Sequence, residues 1–88
     1  MNKIEKFIKE NSLDFNDTGS SLNSVCTTIS GYALHCGLTD VEILYDLICA
    51  VYPSTSCKDE LKRVFAFAKS ANYQSFWSTA KAKKMYKF

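Results

Sequence analysis

The chain has 88 residues, of which 47% are hydrophobic and 23% are charged, and its formal net charge is +2. These values are typical of one small globular domain with room for a single hydrophobic core. Because the chain contains only three glycines and one proline, collagen-like segments, low-complexity linkers and turn-rich β architectures are disfavoured. We therefore expect a single helical domain spanning residues 1–88.

No segment indicates a membrane-spanning or secreted protein. The longest uncharged stretch, Thr18–Thr39, is interrupted by Ser, Thr, Asn and Gly, which argues against a transmembrane helix. Glu5 lies where a secretory signal peptide requires an apolar run. We therefore expect a cytoplasmic protein without a membrane partner.

A short helix over residues 3–10 and a polar loop over residues 12–21 are predicted first. Asn2 is a suitable N-cap for this helix, and Asn11 is suited to its C-terminal end. The apolar residues of this part, which we expect in the core, are Ile4, Phe7 and Ile8 on the helix and Leu13 and Phe15 in the loop.

The second helix is predicted to begin at Ser20 or Ser21 and to end near Gly37, a residue type favoured at helix C-termini. Its apolar stripe consists of Leu22, Val25, Cys26, Ile29, Ala33 and Cys36, and its opposite face is small and uncharged: Asn23, Ser24, Thr27, Thr28 and Gly31. The preceding segment Thr18-Gly19-Ser20-Ser21 could offer N–H and hydroxyl groups to an anion. It lacks the lysine and spacing of a phosphate-binding loop, so we favour an ordinary N-cap.

The third helix is predicted over about residues 40–52, starting with a capping box from Thr39 to Glu42 and ending before Pro53. It is apolar on two sides, because Ile43 and Leu47 lie nearly opposite its main apolar face. A helix of this kind is either central in the fold or half committed to a partner. We predict that the other helices pack around it and that Ile43 and Leu47 contact a partner, which could be a second copy of the chain.

A fourth helix is predicted from a cap at Ser54 or Ser56, and a last helical piece begins near Asn72. The inner stripe of the fourth helix is Leu61, Val64, Phe65 and Ala68. Phe67 lies off this stripe, on the side of Arg63. The predicted fold is therefore all-α: a single small domain of four or five short helices packed around the helix at residues 40–52.

Charge is distributed unevenly along the chain. Residues 1–60 hold four basic and nine acidic side chains, a net of −5, whereas residues 61–88 hold seven basic side chains and no acidic one, a net of +7. The seven are Lys62, Arg63, Lys69, Lys81, Lys83, Lys84 and Lys87. Two interpretations remain open: the basic segment binds an anionic partner, or it folds back onto the acidic part of its own chain.

We predict a partner-binding surface composed of the second apolar face of the third helix and the exposed basic and aromatic residues after it. Its members are Ile43, Leu47, Arg63, Phe67, Lys81, Lys83, Lys84 and Lys87. On a helix these last lysines are close enough to repel one another, and an acidic protein surface would relieve that repulsion. The alternative is a small basic nucleic-acid-binding accessory protein, because aromatic residues alternate with the basic ones.

Patterns that would carry catalysis or bind a metal are mostly absent from the sequence, and an enzymatic interpretation would rest on His35 and the cysteines alone. Cys26 and Cys36 would lie roughly 15 Å apart on one helix, too far to share a zinc ion or a disulfide, and no cysteine pair has metal-ligand spacing. His35 is the only histidine, and its chain neighbour Cys36 would point about 100° away on a helix. We therefore predict four reduced cysteines that are buried free thiols, and no metal, cofactor or enzymatic activity.

Four segments of the chain resemble those of a known group of proteins: the short N-terminal helix, the loop over residues 14–20, Ser30-Gly31-Tyr32-Ala33, and the ending from Tyr73 to Phe88. In these segments and in length it resembles the small early proteins of T4-like bacteriophages. The resemblance implies a protein of the host cytoplasm that inhibits or redirects a host macromolecule by stoichiometric binding. An immune effector such as a CRISPR complex, or another host enzyme, would be the target. No functional residue carries over, because no family motif is matched.

Overall fold

The computed structural model of this protein describes residues 2–17 and 19–88, and these stretches contain five α-helices, one 3₁₀ helix and no strand. The elements are α1 Lys3–Glu10, α2 Ser20–His35, α3 Val41–Val51, α4 Lys58–Ser70, the 3₁₀ helix Tyr73–Ser78 and α5 Ala80–Met85. The predicted all-α fold of one small domain is confirmed. None of these helices has the length and apolar character needed to cross a bilayer.

The helix starts follow local capping chemistry, with one correction to the prediction. The Asn2 side chain accepts a hydrogen bond from the Ile4 N–H at 2.7 Å, as expected of an N-cap. At the start of α3 the cap is Asp40, which accepts from the Glu42 N–H at 2.9 Å, so the capping box from Thr39 does not form in the predicted way. The Glu42 side chain is instead directed to lysines of α4.

The predicted start of α4 at Ser54 or Ser56 is wrong, because the helix begins at Lys58 after an N-cap at Cys57. The reason is Thr55, which is buried and points inward. Its hydroxyl donates to the Phe15 carbonyl, and its oxygen accepts from the Cys57 N–H at 3.3 Å. Residues 53–57 therefore form a connection that is tied to the N-terminal loop, and they cannot serve as the first helical turn.

The central helix is α2, and the predicted central position of the helix at residues 40–52 is wrong. α2 packs extensively on both α4 and the 3₁₀ helix, whereas α3 packs mainly on α1 and α4. Gly31 makes this arrangement possible, because a Cβ atom there would lie 2.7 Å from Nε1 of Trp77. The small face of α2 is thus a packing surface in this region, and α2 is buried on two sides.

The C-terminal part of the chain is held against α1 and α2 by aromatic packing and by one pair of hydrogen bonds. Trp77 is only 3% exposed and packs edge-on against Phe7 and Tyr32, with ring centroids 5.3 Å away in both cases. The Asn11 amide donates to the Lys87 carbonyl at 2.9 Å and accepts from the Lys87 N–H at 2.8 Å. These contacts fix the residues that follow α5.

The remaining core agrees with the sequence pattern. The predicted inner stripe of α4 is buried, as are the three apolar residues of α1. Leu13 and Phe15, the apolar residues of the loop after α1, are also buried, so that loop is anchored to the core at two points. The apolar spacing therefore identified which side of α1 and of α4 faces the interior.

Candidate binding surfaces

Three of the C-terminal lysines lie on the short, well-anchored helix α5, and Lys87 follows it. The Thr79 hydroxyl oxygen accepts from the Ala82 N–H at 3.3 Å and caps α5, while Ala82 is completely buried. The predicted binding residues here, Lys81, Lys83, Lys84 and Lys87, are all exposed. Their backbone is held by the packing of α5 on the 3₁₀ helix and by the link between Asn11 and Lys87.

The basic residues at the start of α4 differ from these lysines because they form ion pairs. Lys58 and Lys62 reach Glu42 at 3.6 Å and 2.9 Å, and Arg63 pairs with Glu60. A hydrogen bond from Lys62, together with the charge of Lys58, holds the pKa of Glu42 below its usual value. Within residues 2–17 and 19–88 no ion pair is made by the later basic residues: Lys69, Lys81, Lys83, Lys84 and Lys87. The basic segment therefore folds back onto acidic residues of its own chain only at the start of α4.

Two of the predicted binding residues, Arg63 and Phe67, border a shallow hollow between α2 and α4. The hollow has a volume of about 280 Å³, and Phe67 is 60% exposed while its ring packs edge-on against Tyr73 at 5.6 Å. A second hollow of about 430 Å³ along the 3₁₀ helix shares Thr27 and Tyr73 with the first. No sequence pattern assigns Thr27 or Tyr73 to a site, because the two residues meet only through the packing of α2 on the 3₁₀ helix.

The remaining predicted residues, Ile43 and Leu47, lie on α3. Ile43 is 49% exposed and Leu47 is half-buried against the core. The structure joins Phe67 to Tyr73 and Lys87 to α1, but α3 makes its main contacts with α1 and α4. The eight predicted residues therefore occupy separate elements, and the structure does not gather them into one site.

A cleft that sequence analysis missed lies between α1 and the end of the chain. Its volume is about 390 Å³, and its lining residues come from α1, the end of α2 and the C-terminal segment: Lys3, Lys6, Phe7, Glu10, Tyr32, His35, Cys36, Lys87 and Phe88. Phe7 and Tyr32 stack at 4.0 Å and form its floor. Burial, with a hydrogen bond to Cys36, raises the pKa of Tyr32 to about 12. No local pattern signals this cleft, since its lining residues are separated by as many as 85 positions, from Lys3 to Phe88.

The cysteines are distributed differently from the prediction. Cys26 and Cys57 are buried as expected, but Cys36 is exposed and Cys49 is half-buried. The side chains of Cys26 and Cys57 hydrogen-bond to one another in the core between α2 and the start of α4. This hydrogen bond and burial raise the pKa of Cys26, whereas the donation from Cys26 lowers the pKa of Cys57 to about 6.

Two other candidate sites gain no support. Among the residues that the structure describes, no group of three or more His, Cys, Asp or Glu side chains is placed to hold a metal ion. In the candidate anion loop, Thr18 lies outside the described residues, and Gly19 adopts a positive φ of 79° as the N-cap of α2 without a side-chain hydrogen bond.

The comparisons with known proteins add no relative. The chain matches no known protein family, no curated protein and no solved structure.

Proposed function

We propose that this protein is a non-catalytic binding protein that inhibits or redirects a host macromolecule by stoichiometric interaction with an acidic surface. The observation that carries this proposal is the set of five C-terminal lysines without ion pairs among the described residues, as opposed to the paired cations at the start of α4. Unpaired lysines on an ordered backbone attract an anionic surface and increase the rate of association with it.

The anchoring of α5 supports a protein partner. The backbone of Lys81, Lys83 and Lys84 is fixed by the capped helix and by the buried Ala82, so binding does not have to order this segment first. A charged surface that is already ordered loses less conformational entropy on association than a disordered tail. Such a surface fits a partner whose carboxylates are equally fixed, as on a folded acidic protein.

The alternative, nucleic-acid binding by the C-terminal segment, receives less support from the packing. Strand binding requires several exposed aromatic rings beside the basic residues. Trp77 is buried, and Phe76 and Tyr86 are half-buried against the core, which leaves Phe67 and Phe88 as the exposed aromatic residues of the C-terminal third. The aromatic residues that alternate with lysine in sequence therefore serve mainly to attach the segment to α1 and α2.

The resemblance to T4-like phage early proteins leads us to propose a bacterial host protein as the partner and the host cytoplasm as the place of action. An immune effector such as a CRISPR complex, or another host enzyme, fits the proposed stoichiometric inhibition. On α3, the exposed Ile43 beside the half-buried Leu47 is a second contact that such a partner, or a second copy of the chain, could cover.

The test is affinity purification from bacterial lysate with three baits: the parent protein, Lys83→Glu with Lys84→Glu, and a control with Lys58→Glu and Lys62→Glu. The two double variants have the same net charge, but only the first changes lysines without ion pairs. Circular dichroism first verifies that each bait is folded. We expect a protein captured at a fixed molar ratio, retained after nuclease treatment, and bound more slowly by the first variant than by the control.

Two outcomes would contradict the proposal. If nuclease treatment abolishes capture, and binding to single-stranded DNA falls steeply with salt, the nucleic-acid alternative is correct. If both double variants associate with the captured protein as rapidly as the parent does at low salt, the C-terminal lysines are not part of the interface.

A further inference from the structure

The cleft between α1 and the end of the chain has a positively charged rim. Lys3 and Lys6 lie on the same side of α1, three residues apart, and Lys87 borders the opening from the C-terminal segment. Glu10 is the only carboxylate side chain among the lining residues, and none of the three lysines makes an ion pair with another described residue. The rim therefore favours an anionic group over a neutral or cationic one.

The cleft is lined by two exposed rings, the imidazole of His35 and the phenyl ring of Phe88, and packing holds the phenyl ring in a fixed position. Phe88 is 45% exposed, whereas Phe7 and Tyr32 beneath it are almost completely buried. The Phe88 ring packs edge-on against Tyr32 at 5.6 Å and against Trp77 at 5.3 Å, which holds its orientation. One phenyl ring held in place suits one planar aromatic group, whereas a nucleic-acid strand requires successive stacking platforms.

We infer that this cleft binds a nucleoside monophosphate, with its base on Phe88 and its phosphate among Lys3, Lys6 and Lys87. A planar ring and a dianionic group joined in one small molecule match the two features that the cleft combines. The volume of about 390 Å³ lies within the range of small-molecule sites. Lysine is a common phosphate ligand in proteins, and Glu10 provides an acceptor for sugar hydroxyl groups.

This inference goes beyond the proposed function and does not depend on it. The site uses Lys3 and Lys6 of α1, which the proposed acidic partner does not require, and Lys81, Lys83 and Lys84 do not line the cleft. Only Lys87 could take part in both interactions. Variants at the two sets of lysines therefore separate the two ideas.

The first test is a titration of the isotopically labelled protein, followed by amide chemical shifts, with AMP, adenosine and ribose 5-phosphate. We expect AMP to shift the signals of the residues that line the cleft and to bind at least about tenfold more tightly than either half-molecule. Such a ratio corresponds to about 1.4 kcal/mol, which one charge-assisted hydrogen bond or one stacking contact supplies. Equal affinities for AMP and ribose 5-phosphate would show that the ring is not used and would overturn the inference.

The second test compares matched variants. Lys3→Glu with Lys6→Glu should weaken AMP binding at least about tenfold, whereas Lys81→Glu with Lys83→Glu, which changes net charge equally outside the cleft, should change it less than about twofold. Phe88→Leu keeps apolar packing against Tyr32 but removes the flat ring, so it should lower affinity for AMP and leave affinity for ribose 5-phosphate unchanged. If the two lysine pairs have equal effects, the binding is nonspecific attraction to a basic protein.

An oligonucleotide distinguishes a mononucleotide site from a strand-binding site. A short oligoadenylate should bind no more tightly per site than AMP, because Phe88 is the one exposed phenyl ring of the cleft and stacks one base. Markedly tighter binding of the oligonucleotide would contradict the inference, as would the absence of shifts in the cleft at low-millimolar AMP. Loss of host-protein capture by the Lys83 and Lys84 variant, with AMP binding intact, would support the cleft as a separate site.

Discussion

At the start of α4, Lys62 reaches Glu42 at 2.9 Å and Arg63 pairs with Glu60, whereas from Lys69 onward no basic side chain forms an ion pair with a described residue. Both regions belong to the part of the sequence that has no acidic residue. The first is neutralised because the fold places α3 and the first turn of α4 beside it. The second forms no ion pair with a described residue, so its charge remains available to another molecule.

This difference shows that net charge along the sequence is a poor guide to free charge on the surface. Arg63 was predicted to bind a partner, yet it is engaged by Glu60, and the pKa of Glu60 is held below its usual value by Asn23 and by Arg63. Lys87, in contrast, borders a cleft with Lys3 and Lys6, which come from the acidic half of the sequence. Surface charge has to be counted after folding, residue by residue.

Of the changes considered, Trp77→Ala should destabilise the folded protein most, because Trp77 attaches the C-terminal segment to α1 and α2. Removal of this buried side chain should lower the free energy of unfolding by about 3–5 kcal/mol. Urea denaturation measures the change. Phe67→Ala is the control, because Phe67 is 60% exposed and should change stability far less. Similar losses in both variants would contradict the central role given to Trp77.

A smaller effect is expected of Gly31→Ala, which acts on the same attachment from the α2 side. The added Cβ would lie 2.7 Å from Nε1 of the buried Trp77, so the indole has to move. We expect a loss of about 1–3 kcal/mol from overpacking, partly offset by the better helix propensity of alanine. Ser24→Ala, at an exposed position of α2, is the matched control and should be nearly neutral. A stabilised Gly31→Ala variant would show that Trp77 is loosely held.

The ion pairs of Glu42 with the lysines of α4 are tested by Glu42→Gln, compared with the parent at several pH values. Because the pKa of Glu42 is lowered in the folded state, its contribution to stability is fully present above the ordinary value of 4.5 and is lost as the pH falls through the folded-state pKa. We expect Glu42→Gln to melt at a slightly lower temperature than the parent at pH 7. This difference should vanish under acid conditions. If the difference in melting temperature instead grew as the pH fell, the pKa of Glu42 would not be lowered by folding.

The smallest effect on stability is expected at the unpaired lysines. Lys84→Gln removes a charge that has no ion-pair partner among the described residues, so the free energy of unfolding should stay within about 0.5 kcal/mol of the parent. Any change should be towards higher stability, because Lys81 and Lys84 repel one another on α5. Thermal melts at low and high salt measure this. A clear loss of stability that salt abolishes would reveal an acidic partner for Lys84 within the fold.

Local patterns in the sequence predicted α1, the start of α2 and the inner face of α4 well. Helical spacing of apolar residues and the capping preference of Asn2 are short-range properties, and they need no knowledge of the rest of the chain. The start of α4 was missed because Thr55 is bound to the carbonyl of Phe15, 40 positions earlier. Such a contact has no local counterpart in the sequence.

The central helix was misassigned for a similar reason. α3 has the more apolar sequence, but α2 has the small residues that allow two elements to approach closely. The small, uncharged face of α2 around Gly31 accepts the bulky Trp77, but Trp77 is 46 positions away and no sequence pattern identifies it as that neighbour. The cleft of Lys3, Lys6, Lys87 and Phe88 and the pair of Cys26 and Cys57 likewise arise only when distant segments meet.

Trp77 is the only tryptophan in the chain, and its position makes it a built-in optical reporter. Its indole is 3% exposed and lies 5.3 Å from the ring of Phe88, so its emission should be that of a tryptophan shielded from water. Detachment of the C-terminal segment would bring water to the indole and shift its emission to longer wavelength. A ligand that moves Phe88 would change the intensity of the same signal. Binding at the cleft and loosening of the C-terminal segment could thus be followed in real time on the unlabelled protein.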